Sequence, residues 1–101
     1  MSKQVAIELP DPFPPGARKL AFVDGQQILI FNIGSELHAV DNTCPHAGAS
    51  LFSGKLNGKV LQCPVHAMRF DVTTGCFAGG ERQELQTYPV VWSDDGAELT
   101  L

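Results

Sequence analysis

Two short segments gather most of the metal-binding side chains in this sequence, Cys44-Pro45-His46 and Cys63-Pro64-Val65-His66. Thiolate sulfur and imidazole nitrogen are the donors proteins use for zinc, copper and iron centres. The chain has three cysteines and three histidines, and two of each fall in these segments. The pattern is C-x-H, sixteen residues, then C-x-x-H. A chance placement of structural cysteines and surface histidines accounts for one such pair more easily than for two. A structural zinc shell of two Cys and two His has suitable donors. Zinc sites, however, usually open with C-x2-4-C and close with H-x3-5-H, whereas each segment here mixes the two donor types. A redox metal centre with mixed sulfur and nitrogen ligands is the third reading. The residues alone leave all three open.

The elements that must position these donors read as strands. Leu20 to Val23 and Ile28 to Ile33 flank Asp24-Gly25. Ile28 to Ile33 and Leu37 to Val40 flank Gly34-Ser35. Leu56 and Lys59 to Leu61 flank Asn57-Gly58, and Tyr88 to Trp92 and Ala97 to Leu101 flank Asp94-Asp95-Gly96. Such dipeptides supply the positive φ of tight hairpin turns. Repeated short strands at this spacing predict an all-β meander, sandwich or small barrel. A short helix around Ala17 to Val23 is the alternative there. Pro10 to Gly16 reads as extended connecting chain. Two irregular stretches interrupt the hairpins, Asn42 to Ser53 and Cys63 to Arg69, and a β scaffold builds its sites on such loops. The Asn57-Gly58 hairpin joins them and can bring both loop tips to one end of a sheet.

Composition narrows the function. At 101 residues the chain is expected to be one domain, 1–101. Apolar residues make up 44% and charged residues 18%, which excludes a disordered or coiled-coil chain. No apolar run is longer than the four residues of Leu20 to Val23 and of Ile28 to Phe31, so no membrane span is expected, and no secretory leader is apparent. Seven basic against eleven acidic residues leave a net charge of −4 without a basic cluster, which argues against nucleic acid. The acidity is uneven. From Asp41 to Asp71, Lys55, Lys59 and Arg69 outnumber Asp41 and Asp71, a local +1 against −5 for the rest. Three cysteines, an odd number, argue against a disulfide scaffold and for the cytoplasm.

The two-loop pattern carries a family resemblance. C-x-H and C-x-x-H, Gly48-Ala49-Ser50-Leu51 after the first pair, and Phe70-Asp71-Val72-x-x-Gly75 after the second resemble the Rieske ferredoxins of ring-hydroxylating dioxygenase systems. Pro15-Gly16, Leu37-His38-Ala39-Val40-Asp41 and Tyr88-Pro89-Val90 extend the likeness over nearly the whole chain. It implies a Rieske-type antiparallel β-sandwich with a small cluster-binding subdomain of two loops, about 42–53 and 63–71. It implies one [2Fe-2S] cluster, with Cys44 and Cys63 on the inner iron and His46 and His66 on the outer iron. The imidazole edges would be the electron doorway, and rising pH would favour the oxidised state. Neutral imidazoles in place of anionic thiolates make an added electron better tolerated, which raises the potential above that of all-cysteine ferredoxins.

The resemblance further implies an electron-transfer protein and not an enzyme. Its partners would be a flavin-containing NAD(P)H reductase and a terminal oxygenase, met transiently by a monomer. Within the same chemistry the alternative is the Rieske-like small subunit of an assimilatory nitrite reductase. A zinc-stabilised binding module and a cluster-based redox sensor are the alternatives of other classes. Respiratory Rieske proteins add two bridging cysteines, replaced here by Ala49 and Val65. They also have a serine and a tyrosine hydroxyl where this chain has Met68 and Phe70. Lacking those donors, the centre is expected near the ~−150 mV lower end of the Rieske range. Two departures stand out: Ala67 replaces the usual glycine after the second histidine, and Cys76-Phe77-Ala78-Gly79-Gly80 occupies a third loop that often carries proline.

Other candidates have plainer readings. Cys76 is expected to be an inert, half-buried thiol and His38 a structural or surface histidine. Trp92, Tyr88 and most of the six phenylalanines are expected in the core. Phe52 is the one considered for exposure at a docking surface. Asp94-Asp95 reads as turn chemistry.

Overall fold

A computed structural model describes residues 3–44, 48–65, 68–78, 80 and 82–101. Ten strands run in chain order: β1 (Gln4–Glu8), β2 (Arg18–Val23), β3 (Gln26–Ile33), β4 (Glu36–Asp41), β5 (Lys55–Asn57), β6 (Val60–Gln62), β7 (Arg69–Asp71), β8 (Thr87–Tyr88), β9 (Val90–Ser93) and β10 (Gly96–Thr100). There is no helix among the described residues, and Ala17 to Val23 falls mostly in β2. No helix of the described residues is long and apolar enough to cross a membrane.

All strand pairs are antiparallel and form three sheets, in the orders β1-β10-β9, β2-β3-β4-β8 and β5-β6-β7. The run Ile28 to Phe31 explains how they stack. Side chains alternate across a strand, so a strand covered on both faces must be apolar at every position. Ile28 and Ile30 join one core with Ala97 and Leu99 of β10. Leu29 and Phe31 join a second core with Leu61 and Phe70 of the β5-β6-β7 sheet. The four-stranded sheet is thus the central layer, with the candidate loops on the side of the second core.

Turn chemistry sets the register. Asp24 and Gly25 take φ of 50° and 80°, and Gly34 and Ser35 take 58° and 76°, the positive values of a two-residue hairpin turn. In two hairpins the turn lies off the expected residues. Asn57 pairs with Val60, so the turn is Gly58-Lys59. Ser93 pairs with Gly96, so the turn is Asp94-Asp95 alone. Gly96 also pairs with Glu8, and a Cβ there would sit 2.4 Å from the Ile7 carbonyl oxygen, so glycine permits the close strand approach.

Of the aromatic expectations, the one for Trp92 needs correction. Phe31 and Phe70 are fully buried, Phe13 is nearly so, and Phe77 and Tyr88 pack partly against the cores. Trp92 is 47% exposed. It lies on edge strand β9, where its indole N–H donates to Ser35 O at 3.0 Å and its ring meets Phe13 edge-on. Phe22 is 72% exposed on edge strand β2. An edge strand has a neighbour on one side only, which leaves these rings only partly covered.

Candidate metal centre

The register of the small sheet places both loops together. Lys55 pairs with Gln62, and Gln62 pairs with Arg69. The first loop therefore enters β5 at the same end of the sheet at which the second leaves β6 and returns to β7. The Gly58-Lys59 turn closes the opposite end.

The two loops close by the same device. The Cys44 amide donates to Ala49 O at 2.9 Å, and the Cys63 amide donates to Met68 O at 2.8 Å. Each thiol thus stands at the base of a loop closed onto the carbonyl five residues on. Positions 46 and 66 fall inside these two spans. His46, His66, Pro45, Ala47 and Ala67 lie outside the described residues. Cys44 and Cys63 are 1% and 2% exposed and belong to one core cluster with Leu51, Leu61 and Phe70. Neither is in a disulfide.

A buried network fixes the base of the first loop. Asn42 is 1% exposed, and its Nδ2 donates at 2.9 Å to Gln27 Oε1 of β3 and to Ser50 Oγ. The Leu51 amide donates to Asn42 O at 2.7 Å. The return arm is held by Arg18 of β2, whose Nη1 donates at 2.7 Å to both Phe52 O and Gly54 O. Burial moves the Arg18 guanidinium below its ordinary pKa, yet arginine remains charged in proteins. Gly54 lies so close to the β6 end that a Cβ would be 2.3 Å from Gln62 O. Exposed apolar groups flank the loops: Val65 of the second is 60% exposed and Phe52, on the return arm of the first, 43%.

The second loop is backed by aromatic packing. Phe70 stacks on Phe77 at 5.2 Å between ring centres and 15° between planes. Met68 packs against the same core. Neither Met68 nor Phe70 has a side-chain donor, so this wall offers no hydroxyl. Behind it, Asp71 orders the turn to Gly75 by accepting from the Thr73 amide and hydroxyl, with Lys59 Nζ at 3.3 Å. Burial raises its pKa, but the Thr73 bonds and Lys59 outweigh that and hold it below the ordinary carboxylate value.

The remaining candidates sit on other elements. Cys76 is half-buried, outside any disulfide, and bridges to Gln83. His38 is half-buried on β4, with Nε2 3.0 Å from Glu36 Oε1. Among the described residues no group of three or more His, Cys, Asp or Glu side chains is assembled. Arg18 and Asn42 were not singled out from the sequence. The signal for Arg18 was a charge at a face position of β2 shared with apolar Leu20. Asn42 opens the first loop but gives no local sign of burial.

Two loops closed alike, each with a buried thiol at its base and a histidine within its span in sequence, carry the donor types that a mixed-ligand two-iron centre uses. Residues 3–89 match the Rieske [2Fe-2S] domain. The chain belongs to this family. Its family's cofactor is a [2Fe-2S] cluster, which the chemistry of the donor set fits. This Rieske chain is 38% identical over 69 residues to the ferredoxin component of the naphthalene 1,2-dioxygenase system of Pseudomonas putida, a match covering 67% of the chain and 66% of that relative. The ferredoxin of carbazole 1,9a-dioxygenase from Nocardioides aromaticivorans IC177 superposes with a TM-score of 0.81 at 28% identity, over 95% of both chains. A complex of reduced oxygenase and oxidized ferredoxin in carbazole 1,9a-dioxygenase matches with a TM-score of 0.82 at 25% identity, over 95% of this chain and 91% of that one. The all-β expectation holds, and these neighbours are Rieske ferredoxins.

Proposed function

We propose that this protein is a low-potential Rieske ferredoxin, carrying single electrons from a flavin-containing NAD(P)H reductase to a terminal ring-hydroxylating oxygenase. Chain 1–101 acts as one domain, a cytoplasmic monomer. Cys44 and Cys63 hold the inner iron through sulfur, and His46 and His66 hold the outer iron through nitrogen. The observation that carries this reading is the equivalence of the two closed loops, each with a buried thiol at its base. Relatives named as ferredoxin components of dioxygenase systems, and a similar fold solved with its oxygenase, support the choice of partners.

When bound, the cluster supplies a reversible one-electron couple. The chain does the rest. Leu51, Leu61 and Phe70 surround the thiols with apolar side chains. Asn42 and Arg18 hold the first loop to the central sheet, which limits rearrangement between redox states. Filling every metal position with protein donors leaves no place for substrate, so the oxidation of substrate belongs to the oxygenase. The lack of hydroxyl donors at Met68 and Phe70 favours a low potential.

Electron paramagnetic resonance of the dithionite-reduced protein tests this. A mean g-value clearly below that of an all-cysteine plant-type cluster is expected, and His66→Cys should shift it. A plant-type spectrum, or one unchanged in the variant, overturns the ligand assignment.

A further inference from the structure

The first loop is held by more than its thiol requires. Arg18 pairs across the strands with Phe31, and its guanidinium carbon lies 5.4 Å from that ring centre. From this seat Nη1 donates at 2.7 Å to Phe52 O and to Gly54 O. Phe52 is fixed on its other side as well, its amide donating to Ser50 Oγ at 3.3 Å. Ser50 Oγ belongs to the Asn42 network tied to Gln27. Yet the Phe52 side chain is 43% exposed.

An aromatic ring left in water forgoes the free energy of burial. When its backbone is already ordered, a partner that covers the ring recovers that free energy at little entropic cost. Rigid exposed aromatics of this kind anchor interfaces. The surroundings suit a partner with an acidic rim. Lys55 and Arg69, both exposed, flank Gln62 at the loop end of the small sheet. Resting on the electron-carrier reading, we infer that Phe52 is the anchor through which this protein docks on the terminal oxygenase, and that Arg18 is the positioning residue that presents it. Among similar folds, the ferredoxin of the carbazole system has been solved with its oxygenase, which makes the acceptor the occupant of choice.

The test varies the concentration of this protein in turnover with the oxygenase component of the Pseudomonas putida naphthalene 1,2-dioxygenase system. The oxygenase component of the carbazole system serves in its place if it accepts electrons faster. Phe52→Ala should raise the concentration for half-maximal rate about five- to tenfold, with the effect on affinity and not on the saturating rate. Arg18→Met should raise it about threefold, but by less than about twofold in a Phe52→Ala background, because the two act as one unit. Arg18→Lys keeps the charge without the planar fork and should rescue only in part. The reduced spectrum should stay that of the wild type in all variants. If Arg18→Met fails to fold, Phe52→Ala and Arg18→Lys carry the test.

The inference is overturned if Phe52→Ala leaves half-saturation unchanged. It is overturned equally if Arg18→Met costs the same factor in both backgrounds, or if the shift appears with the flavin reductase and not with the oxygenase. A wild-type protein with a Rieske spectrum that reduces none of the oxygenases defeats the carrier reading instead.

Discussion

Gly54 tests how tightly the two loops are joined. No positive φ sets it apart, so alanine is acceptable to its backbone and the cost is steric. The added Cβ would lie 2.3 Å from Gln62 O, 3.1 Å from Leu51 O and 3.2 Å from Leu61 Cδ1. Two of these three neighbours are backbone, which cannot swing aside. Ordinary contact begins at 3.4 Å, so 3.4 − 2.3 = 1.1 Å of separation must be found between the first loop and the end of β6. Overpacking of this kind costs about 1–3 kcal/mol. The displacement also strains the Arg18 bond to Gly54 O, a charge-assisted bond of about 1.5–3 kcal/mol. With that bond weakened and not lost, Gly54→Ala should cost about 3 kcal/mol, a fall in Tm of about 12–24 °C for a domain of this size. Gly58→Ala is the control. Its Cβ meets nothing within 4 Å, but its φ is 62°, so it should cost only about 1 kcal/mol. Thermal unfolding by far-ultraviolet circular dichroism, with visible absorbance followed in parallel, reads both. Gly54→Ala should also bleach before it unfolds. A Gly54→Ala protein as stable as Gly58→Ala would refute the close approach of the loops.

Three further outcomes are expected. Asp71 has its folded pKa below an unfolded value of about 3.9, so its contribution is present above that pH and is lost as pH falls through the folded pKa. Asp71→Asn should therefore cost about 1 kcal/mol at pH 7, with the gap to wild type closing below about pH 4 in urea titrations. Met68→Ser with Phe70→Tyr adds two hydroxyls beside the second loop. The wild-type potential should lie near ~−150 mV, and the double variant should be higher by roughly 60 mV, tenfold in equilibrium terms, by protein-film voltammetry. Asn42→Ala removes a buried group bonded to Gln27 and Ser50 and should cost about 2 kcal/mol in urea unfolding.

The strands and donor loops were readable because their signals are local. An alternating or continuous apolar run with Asp24-Gly25 or Gly34-Ser35 at its end specifies a hairpin without reference to the rest of the chain. The repeated Cys and His stand out in the sequence because ligand chemistry restricts residue type. The exposure of Trp92 is not legible because it depends on which strands become sheet edges, which composition does not state. The turn at Gly58-Lys59 was placed one residue early because Asn57-Gly58 offers the same turn chemistry in an adjacent register. The role of Arg18 is not legible because its acceptors lie 34 and 36 residues away and are backbone carbonyls, which leave no mark in a sequence.

Metal and sulfide analysis of freshly purified, anaerobically handled protein tests the central claim most directly. Four protein donors around a two-iron centre predict about two iron and two acid-labile sulfide per chain and a red-brown colour. Stoichiometric zinc in a colourless protein, with neither iron nor sulfide, would contradict it.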